Sequence, residues 1–419
     1  MSCLEINGGR KLRGEVEIHG AKNSVLPLLA ATFLCDGQSV LHNCPELSDV
    51  KASLDILRCL GSSVKREGKS VTVTSGNYQV CEISDRLMRE MRSSIVFMGA
   101  VAAKRGTVTL SLPGGCELGP RPIDLHIEAL QRLGATIECS SGKLTCSFLN
   151  GITAADIHLK FPSVGATENA IFAAVFAKGT TVIYNAAREP EIADVCSFLN
   201  KAGASILGGG TDTVVINGVG SLHGTEHTVM SDRIIAATVM FSVGACGGYV
   251  TLKNAVYEHL LPMANILRDC GCEVSCDDMN VIVKCNGKLK NFDTVSTQPF
   301  PGFPTDAGPM LVAMSTVTKG TGVFVENIFD SRFRYIDELK RLGADIKTVG
   351  RVAIITGVER LHGACVRSCD LRGGAALTLA AMVASGKTIV TDIEYIDRGY
   401  ERIEDIFGVL NADIIRRWS

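Results

Sequence analysis

The chain comprises 419 residues, of which 46% are apolar and 21% charged, and its formal net charge is −2. This length exceeds what one hydrophobic core usually supports, and the near-neutral charge gives no reason to expect a nucleic-acid or membrane-surface partner. No apolar run reaches the roughly 18 residues of a membrane span, and residues 1–11 lack the apolar core of a signal peptide. Two domains and a cytoplasmic location are therefore expected.

A short turn followed by a β-branched strand recurs six times along the chain. The second residue of each turn is glycine or, once, asparagine: Gly61, Gly134, Gly203, Gly271, Gly343 and Asn411. These residues lie 68 to 73 positions apart. A helix-like stretch precedes each turn, and all copies but the last lead into a second strand.

A second signature, a helix rich in alanine, serine and glycine that is followed by a strand, alternates with the first. Its six copies span residues 21–34, 91–103, 165–177, 232–243, 306–317 and 371–384. Such helices can pack closely on several sides, as an inner helix covered by sheets would. The predicted unit is strand–helix–strand–helix–strand–strand, and two closed, threefold pseudosymmetric domains of three units fit its length better than a solenoid does. The functional cleft is then expected between the domains.

Sixteen cysteines are spread along the chain, and many of them stand beside apolar residues, as Cys35, Cys59, Cys196 and Cys246 do. A small secreted protein would use so many cysteines for disulfide bonds, but buried free thiols are the better interpretation in a chain of this length. The cluster at residues 270–276 lacks a second pair of cysteines or histidines at zinc-site spacing, so no metal is predicted.

One thiol, Cys116, has a different setting. Three glycines and three prolines fall within residues 113–122, which predicts a surface loop of defined shape. Arg121 follows five residues later, and a partly exposed thiol close to positive charge has a lowered pKa and becomes reactive. The alternative is that Cys116 is one more small apolar residue, but its loop setting favours a chemical role.

Polar residues stand at the start of each small-residue helix, where free N–H groups favour phosphate and carboxylate ligands. For Ser163 or Thr305 alone, helix capping is the better interpretation. Capping does not explain Lys22, Arg92 or Arg372, because a cation is unfavourable at a helix N-terminus. Their recurrence at equivalent points predicts a shared anion site.

Two further arginines, Arg332 and Arg398, stand in loops of unusual composition. The planar guanidinium suits carboxylate and phosphate groups, so these arginines, taken together with Lys22 and Arg121, predict a polyanionic substrate. No Walker loop or dinucleotide-binding glycine motif is present, and an NTPase or dinucleotide enzyme is poorly supported.

The chain resembles the enolpyruvyl transferases, in particular the members whose acceptor is UDP-N-acetylglucosamine. The matching segments are residues 20–23, 91–94, 116–125, 163–167, 187–192, 303–306, 370–377 and 397–402. The resemblance implies an α/β fold, a two-domain inside-out α/β barrel in which each domain has three pseudosymmetric βαβαββ units. It places residues 22–229 in the domain that carries Cys116, and residues 1–21 with 230–419 in the domain that carries Asp306.

The reaction implied by the resemblance transfers the enolpyruvyl group of phosphoenolpyruvate to the 3-hydroxyl of UDP-N-acetylglucosamine. It releases phosphate by addition and elimination, begins peptidoglycan precursor synthesis and uses no cofactor. Cys116 would be the acid for the methylene carbon, could attach covalently to the pyruvyl unit and would be alkylated by fosfomycin. Asp306 would be the base at the sugar hydroxyl, and a monomer is expected.

The resemblance also implies which residues bind the substrates. Lys22 and Arg398 complete the catalytic set, and the basic side chains would hold phosphate and carboxylate groups. The implied substrate-binding residues are Lys22, Asn23, Arg92, Arg121, Pro122, Ile123, Asp124, Leu125, Ser163, Val164, Gly165, Asp306, Ile328, Arg332, Arg372 and Arg398.

Three alternatives compete with this function. The sister activity on shikimate 3-phosphate shares the fold and the basic cleft but does not use a loop cysteine. A UDP-sugar-binding regulator without turnover would be expected to lose Cys116, Asp306 or Lys22, and all three are present. A protein that acts on nucleic acid conflicts with the near-neutral charge.

Overall fold

The structure is a computed structural model that describes residues 2–76, 82–111, 123–287 and 289–418. These residues form two compact units. Of the described residues, the first unit comprises 20–76, 82–111 and 123–230, and the second unit comprises 2–19, 231–287 and 289–418. Each unit encloses its own hydrophobic core. The domain boundaries that the resemblance implies, 21/22 and 229/230, stay a prediction.

The chain begins with two strands of the second unit, β1 (Ser2–Asn7) and β2 (Leu12–Glu17). The helices of the first unit are α1 (Lys22–Thr32), α2 (Ser48–Cys59), α3 (Asp85–Glu90), α4 (Phe97–Arg105), α5 (Asp124–Arg132), α6 (Val164–Ala174) and α7 (Pro190–Lys201), with a 3-10 helix at Arg92–Val96. Its strands are β3 (Cys35–Asp36), β4 (Gln38–His42), β5 (Ser63–Glu67), β6 (Ser70–Thr74), β7 (Glu82–Ile83), β8 (Thr107–Ser111), β9 (Thr136–Ser140), β10 (Lys143–Ser147), β11 (Asp156–His158), β12 (Thr180–Tyr184), β13 (Ser205–Leu207), β14 (Thr213–Asn217), β15 (Leu222–His223) and β16 (Glu226–Thr228).

The remaining elements belong to the second unit. Its helices are α8 (Arg233–Cys246), α9 (Leu261–Cys270), α10 (Gly308–Ser315), α11 (Ile336–Arg341), α12 (Leu371–Val383) and α13 (Ile403–Gly408). Its 3-10 helices are Tyr257–Leu260, Thr305–Ala307, Arg332–Tyr335 and Ile393–Arg398. Its further strands are β17 (Gly248–Lys253), β18 (Glu273–Asp277), β19 (Asn280–Cys285), β20 (Thr294–Ser296), β21 (Thr321–Val325), β22 (Asp345–Val349), β23 (Val352–Thr356), β24 (Cys365–Arg367), β25 (Lys387–Thr391) and β26 (Asp413–Trp418).

In the described residues, six four-stranded sheets share one pairing pattern, and three of them belong to each unit. The first pair of strands in each sheet is parallel and the next two pairs are antiparallel. The orders are β16-β4-β6-β5, β7-β8-β10-β9 and β11-β12-β14-β13 in the first unit, and β2-β17-β19-β18, β20-β21-β23-β22 and β24-β25-β1-β26 in the second. The prediction of a mixed α/β chain built from repeated strand and helix units is confirmed.

The six recurrent turns are helix C-caps of one type. The glycine or asparagine of each turn has a positive φ, from 73° at Asn411 to 111° at Gly271. In the first copy the Gly61 N–H bonds to the Arg58 carbonyl and the Ser62 N–H to the Leu57 carbonyl, which is the Schellman motif, and the other five copies repeat both bonds. Glycine and asparagine are the residues that adopt this backbone region most readily, which is why the turn is visible in the sequence.

The small-residue helices lie inside the units, as predicted. Every residue of α10 is buried, and so are nearly all residues of α8 and α12. Small side chains allow the helices to come very close to one another. At Gly99 of α4, for example, an added Cβ would lie 2.5 Å from the Asn169 carbonyl oxygen of α6.

The fourteen cysteines that the structure describes are free thiols. Cys35 and Cys196 are buried as predicted, and burial raises the pKa of both thiols to about 12. Cys59 is exposed, so the prediction of burial is wrong there, because this residue ends α2 on the side that faces solvent. None of the helices in the described residues has both the length and the apolar character that crossing a membrane requires.

The backbone of the recurrent turn gives a stability prediction. Gly271→Ala should lower the free energy of unfolding by about 1 to 2 kcal/mol, because alanine is strained at a left-handed φ. A new methyl group would cause no clash, since the nearest atom would lie 3.7 Å away. The control is Gly408→Ala, where a Cβ meets nothing within 4 Å and the residue is helical, so a gain of up to about 1 kcal/mol is expected. Equal effects of the two substitutions in urea unfolding would contradict the argument.

Candidate active site

Asp306 joins two buried arginines in the second unit. It lies in the 3-10 turn Thr305–Ala307, directly before α10. Its Oδ1 accepts a hydrogen bond from Arg332 Nη2 at 3.1 Å, and its Oδ2 accepts one from Arg372 Nη2 at 3.2 Å. Both arginine side chains are only 2% exposed, whereas Asp306 is 27% exposed. The structure therefore brings three of the predicted site residues together, from three separate segments.

The two guanidinium groups have more donors than the surrounding protein uses. Arg332 Nε, Arg372 Nε and Arg372 Nη1 are buried and have no hydrogen-bond partner among the described residues. A buried charged donor without an acceptor is costly, so each such group calls for a partner that the described residues do not supply. An anion placed against both arginines would supply the missing acceptors.

Aromatic rings lie against both arginines, and nearby charged groups raise the pKa of Arg372. The Tyr400 ring lies 5.5 Å from the Arg372 guanidinium, and the Phe329 ring lies 5.7 Å from that of Arg332, both within cation–π distance. Burial opposes the charge on Arg372, but Asp306, Tyr400 and Asp232 outweigh that effect and raise its pKa. The cluster therefore holds two buried positive charges beside one half-buried carboxylate.

The polar residues at the helix starts divide into caps and site residues. Asp370 Oδ1 accepts hydrogen bonds from the Arg372 and Gly373 N–H groups, so it caps α12 and offsets the cation at that helix end. Ser163 caps α6 by accepting from the Ala166 N–H, as predicted. The capping interpretation is wrong for Thr305, because its hydroxyl donates instead to a buried carboxylate, that of Glu326, at 2.8 Å.

Glu326, which the sequence analysis missed, connects the segments that carry Asp306 and Arg332. Its Oε2 accepts from Thr305, and its Oε1 accepts from the Thr297 hydroxyl and from the N–H groups of Ile328 and Phe329. Four hydrogen bonds satisfy a carboxylate that is only 1% exposed. Glu326 thereby fixes Ile328, one of the predicted nucleotide-sugar residues, relative to Asp306.

Lys22 forms a buried ion pair in the first unit. It is the first residue of α1, and its Nζ lies 2.7 Å from Asp49 Oδ2 of α2, with both side chains nearly buried. A lysine at a helix N-terminus is unfavourable, and the Asp49 carboxylate offsets that cost. Asp49 was missed because an acidic residue in the first turn of an amphipathic helix resembles an ordinary surface charge. Asn23, the next residue of α1, is half-buried.

The predicted nucleotide-sugar residues of the first unit lie at two neighbouring helix starts. Residues 123–125 stand at the start of α5, and residues 163–165 at the start of α6. An added Cβ at Gly165 would lie 2.8 Å from the His126 ring, so the two starts are in close contact. The Asn169 amide donates to His126 Nδ1 at 2.9 Å and to the Gly165 carbonyl at 3.3 Å, which holds them together.

His126 is neutral in this setting. Burial lowers its pKa to about 4, and the nearby Asp124 opposes that effect only in part. His126 Nδ1 can therefore accept a hydrogen bond from the Asn169 side-chain NH2 group, which can only donate one.

The structure describes the remaining predicted site residues to different extents. Arg398 ends the 3-10 helix Ile393–Arg398 and is half-buried. The backbone of Arg92 lies in the 3-10 helix Arg92–Val96, but its side chain is outside the described part of the structure. Cys116, Arg121 and Pro122 also lie outside the described residues.

The sequence was compared with protein families and with known proteins. A family model described as EPSP synthase (3-phosphoshikimate 1-carboxyvinyltransferase) matches residues 6–407. The chain belongs to this family. The resemblance to the enolpyruvyl transferases is thus confirmed.

Curated relatives match the chain over nearly its whole length. One is UDP-N-acetylglucosamine 1-carboxyvinyltransferase 2 of Caldanaerobacter subterraneus subsp. tengcongensis, 48% identical over 99% of this chain and 100% of the relative. UDP-N-acetylglucosamine 1-carboxyvinyltransferase of Finegoldia magna is 45% identical over 99% of both chains. UDP-N-acetylglucosamine 1-carboxyvinyltransferase 1 of Staphylococcus aureus (strain N315) is 41% identical over 99% of both.

Two solved structures have the same fold. The enolpyruvyl transferase NikO from Streptomyces tendae matches with a TM-score of 0.89 at 23% identity, over 99% of this chain and 98% of that one. EPSP synthase from Acinetobacter baumannii matches with a TM-score of 0.73 at 18% identity, over 100% of both chains. At these identities the matches concern the fold alone, which is the mixed α/β fold of the enolpyruvyl transferases.

The shared carboxylate gives a prediction about stability and anion binding. Asp306→Ala should lower the free energy of unfolding by about 2 to 3 kcal/mol, because it leaves two buried cations without their counter-ion. Added inorganic phosphate should restore part of the loss. The control is Asp330→Ala, which removes the carboxylate of an exposed Asp–Arg pair and should cost less than about 1 kcal/mol. Urea unfolding with and without phosphate measures both, and equal losses would show that the arginines do not depend on Asp306.

The buried histidine gives a prediction about pH. Its folded pKa lies below its ordinary value of 6.5, so neutral His126 contributes stability that is present above about pH 6.5 and lost as the pH falls toward 4. In His126→Asn this loss should be smaller by about 3 kcal/mol across that window. Urea unfolding at a series of pH values measures it, with His223→Asn in an exposed strand as control. Parallel pH curves for wild type and His126→Asn would refute the assignment.

Proposed function

We propose that this protein transfers the enolpyruvyl group of phosphoenolpyruvate to the 3-hydroxyl of UDP-N-acetylglucosamine and releases phosphate, the first committed step of peptidoglycan precursor synthesis. The observation that carries the proposal is the pair of buried arginines on Asp306, whose unused N–H groups suit a small polyanion. Relatives that are 41% to 48% identical to the chain are named UDP-N-acetylglucosamine 1-carboxyvinyltransferase.

Both substrates have candidate binding residues. Phosphoenolpyruvate carries a carboxylate and a phosphate, and Arg332 and Arg372 offer paired donors for such groups, with Lys22 and Arg398 as further cations. UDP-N-acetylglucosamine is assigned to residues 121–125 and 163–165 and to Ile328. The contact between His126 and Gly165 supports a common surface at the starts of α5 and α6.

The reaction then proceeds by addition followed by elimination. Cys116 donates a proton to the methylene carbon of phosphoenolpyruvate while the sugar oxygen bonds to the adjacent carbon, and Asp306 takes the proton from that hydroxyl. In elimination the two roles reverse: the Cys116 thiolate takes back a methyl proton, its electron pair forms the carbon–carbon double bond, and the carbon–oxygen bond to phosphate breaks as the proton on Asp306 passes to the leaving phosphate. Arginine and lysine stabilise the charge that develops at carboxylate and phosphate. No electrons are exchanged with an outside partner, so no cofactor forms part of the proposal.

The finer architecture is part of the same proposal. Three sheets of one strand order in each unit, together with buried small-residue helices, support an inside-out α/β barrel of three βαβαββ units per domain. Residues 22–229 are assigned to the domain with Cys116, and residues 1–21 with 230–419 to the domain with Asp306.

The free thiols at the fourteen described cysteines support a location in the cytoplasm, which is a reducing compartment. Since one chain carries both Cys116 and Asp306, a monomer suffices.

Phosphate release from phosphoenolpyruvate tests the proposal. Wild-type protein should release phosphate with UDP-N-acetylglucosamine and not with shikimate 3-phosphate. Cys116→Ala and Asp306→Asn should each lower the rate by at least about 100-fold, because each loses a proton-transfer group. The matched controls are Cys59→Ala and Asp330→Asn, which change an exposed thiol and an exposed carboxylate and should keep the wild-type rate. Release with shikimate 3-phosphate, or with neither acceptor, would overturn the proposal.

A further inference from the structure

Arg416, in the last strand of the second unit, binds two carboxylates at once. It forms a paired contact with Asp397, Nη1 to Oδ2 at 2.8 Å and Nη2 to Oδ1 at 2.7 Å. It also binds Glu404 of α13, Nε to Oε1 at 2.7 Å and Nη2 to Oε2 at 3.0 Å. The Arg416 side chain is 9% exposed, so these are largely desolvated, charge-assisted hydrogen bonds.

The residue next to Asp397 is Arg398, one of the predicted phosphate-binding residues. The 3-10 helix Ile393–Arg398 ends here, so no regular secondary structure continues beyond Arg398 to fix its direction. Consecutive Cα atoms are about 3.8 Å apart, and an anchor on Asp397 therefore limits where the Arg398 backbone can lie. A flexible arginine on an unanchored loop would lose conformational entropy on binding, which an anchor reduces.

The other side of Arg398 is fixed by the active-site cluster itself. Gly399 lies so close to Leu371 that an added Cβ would be 2.8 Å from its methyl groups. Tyr400 is buried, its hydroxyl forms a hydrogen bond with Thr238 at 2.8 Å, and its ring lies against the Arg372 guanidinium. Arg398 thus stands between two anchors, and the second of them touches the arginine that binds Asp306.

We propose that Arg416 is a positioning residue that acts through Asp397 to direct the Arg398 side chain toward the anionic groups of phosphoenolpyruvate. This inference rests on the proposed function. The fork of the guanidinium matters because lysine, a single point charge, cannot bind both oxygens of Asp397 and both of Glu404 in one plane.

The neighbouring residue Arg417 provides a matched control. It lies on the same strand and carries the same charge, but its side chain is 58% exposed and its ion-pair partner is Glu5, at 3.8 Å. Arg416→Lys and Arg417→Lys therefore make the same chemical change one residue apart, and only the first disturbs Asp397.

The test is steady-state kinetics of phosphate release, with each substrate varied in turn. Arg416→Lys should lower kcat/KM for phosphoenolpyruvate roughly tenfold through a higher KM, with the KM for UDP-N-acetylglucosamine unchanged. Arg417→Lys should match wild type. Equal behaviour of the two variants, or equal changes in both KM values, would overturn the inference. If Arg416→Lys does not fold, Asp397→Asn removes the same contact from its other end and carries the same expectation.

A second measurement separates positioning from general stability. In an Arg398→Lys background, measured with enzyme in excess over phosphoenolpyruvate, adding Arg416→Lys should produce no further loss, because the residue through which Arg416 acts is already altered. A further loss as large as that in wild type would show that Arg416 acts elsewhere. An inactive wild-type protein would instead count against the proposed function, so the two failures are distinct.

Discussion

Burial of the small-residue helices is the constraint on which the rest of the structure depends. A helix such as α10, in which every residue is buried, has no side that can meet a ligand, so only its ends remain for chemistry. The free N–H groups at a helix start also favour anions. Lys22, Asp306 and Arg372 accordingly stand at, or directly before, the beginnings of three such helices.

The same constraint explains the electrostatics of the site. Cations at helix starts are unfavourable, and burying them adds a desolvation cost, so the fold supplies a carboxylate to each. Asp49 serves Lys22, and Asp306 is shared by Arg332 and Arg372. Sharing leaves an excess of positive charge in a place where water is largely excluded. Under the proposed function, that excess favours an anionic ligand over a neutral one.

Sequence reasoning succeeded where the cause of a structure is local. The recurrent turn was visible because a Schellman cap needs glycine or asparagine at one position, and Arg372 drew attention because a cation at a helix start has no local explanation. It failed where the role of a residue depends on contacts with distant parts of the chain. Glu326 and Arg416 look like ordinary charges until the fold buries them, and Thr305 was taken for a cap because its acceptor lies 21 residues away. The enolpyruvyl transferase fold was inferred from the resemblance of whole segments. Neither the recurrent turn nor a cation at a helix start specifies the order of strands in a sheet.

The strands β1 and β2 tie the beginning of the chain to its end. β1 (Ser2–Asn7) pairs with β25 (Lys387–Thr391) and β26 (Asp413–Trp418), which are synthesised much later, and β2 pairs with β17. On the ribosome the first unit can bury its core as soon as residue 230 has emerged, whereas Leu4 and Ile6, which are fully buried in the finished protein, have no partner strand until β25 has emerged. For most of its synthesis the nascent chain therefore carries a strand with two unpaired apolar side chains, Leu4 and Ile6, that a chaperone or a neighbouring nascent chain can bind.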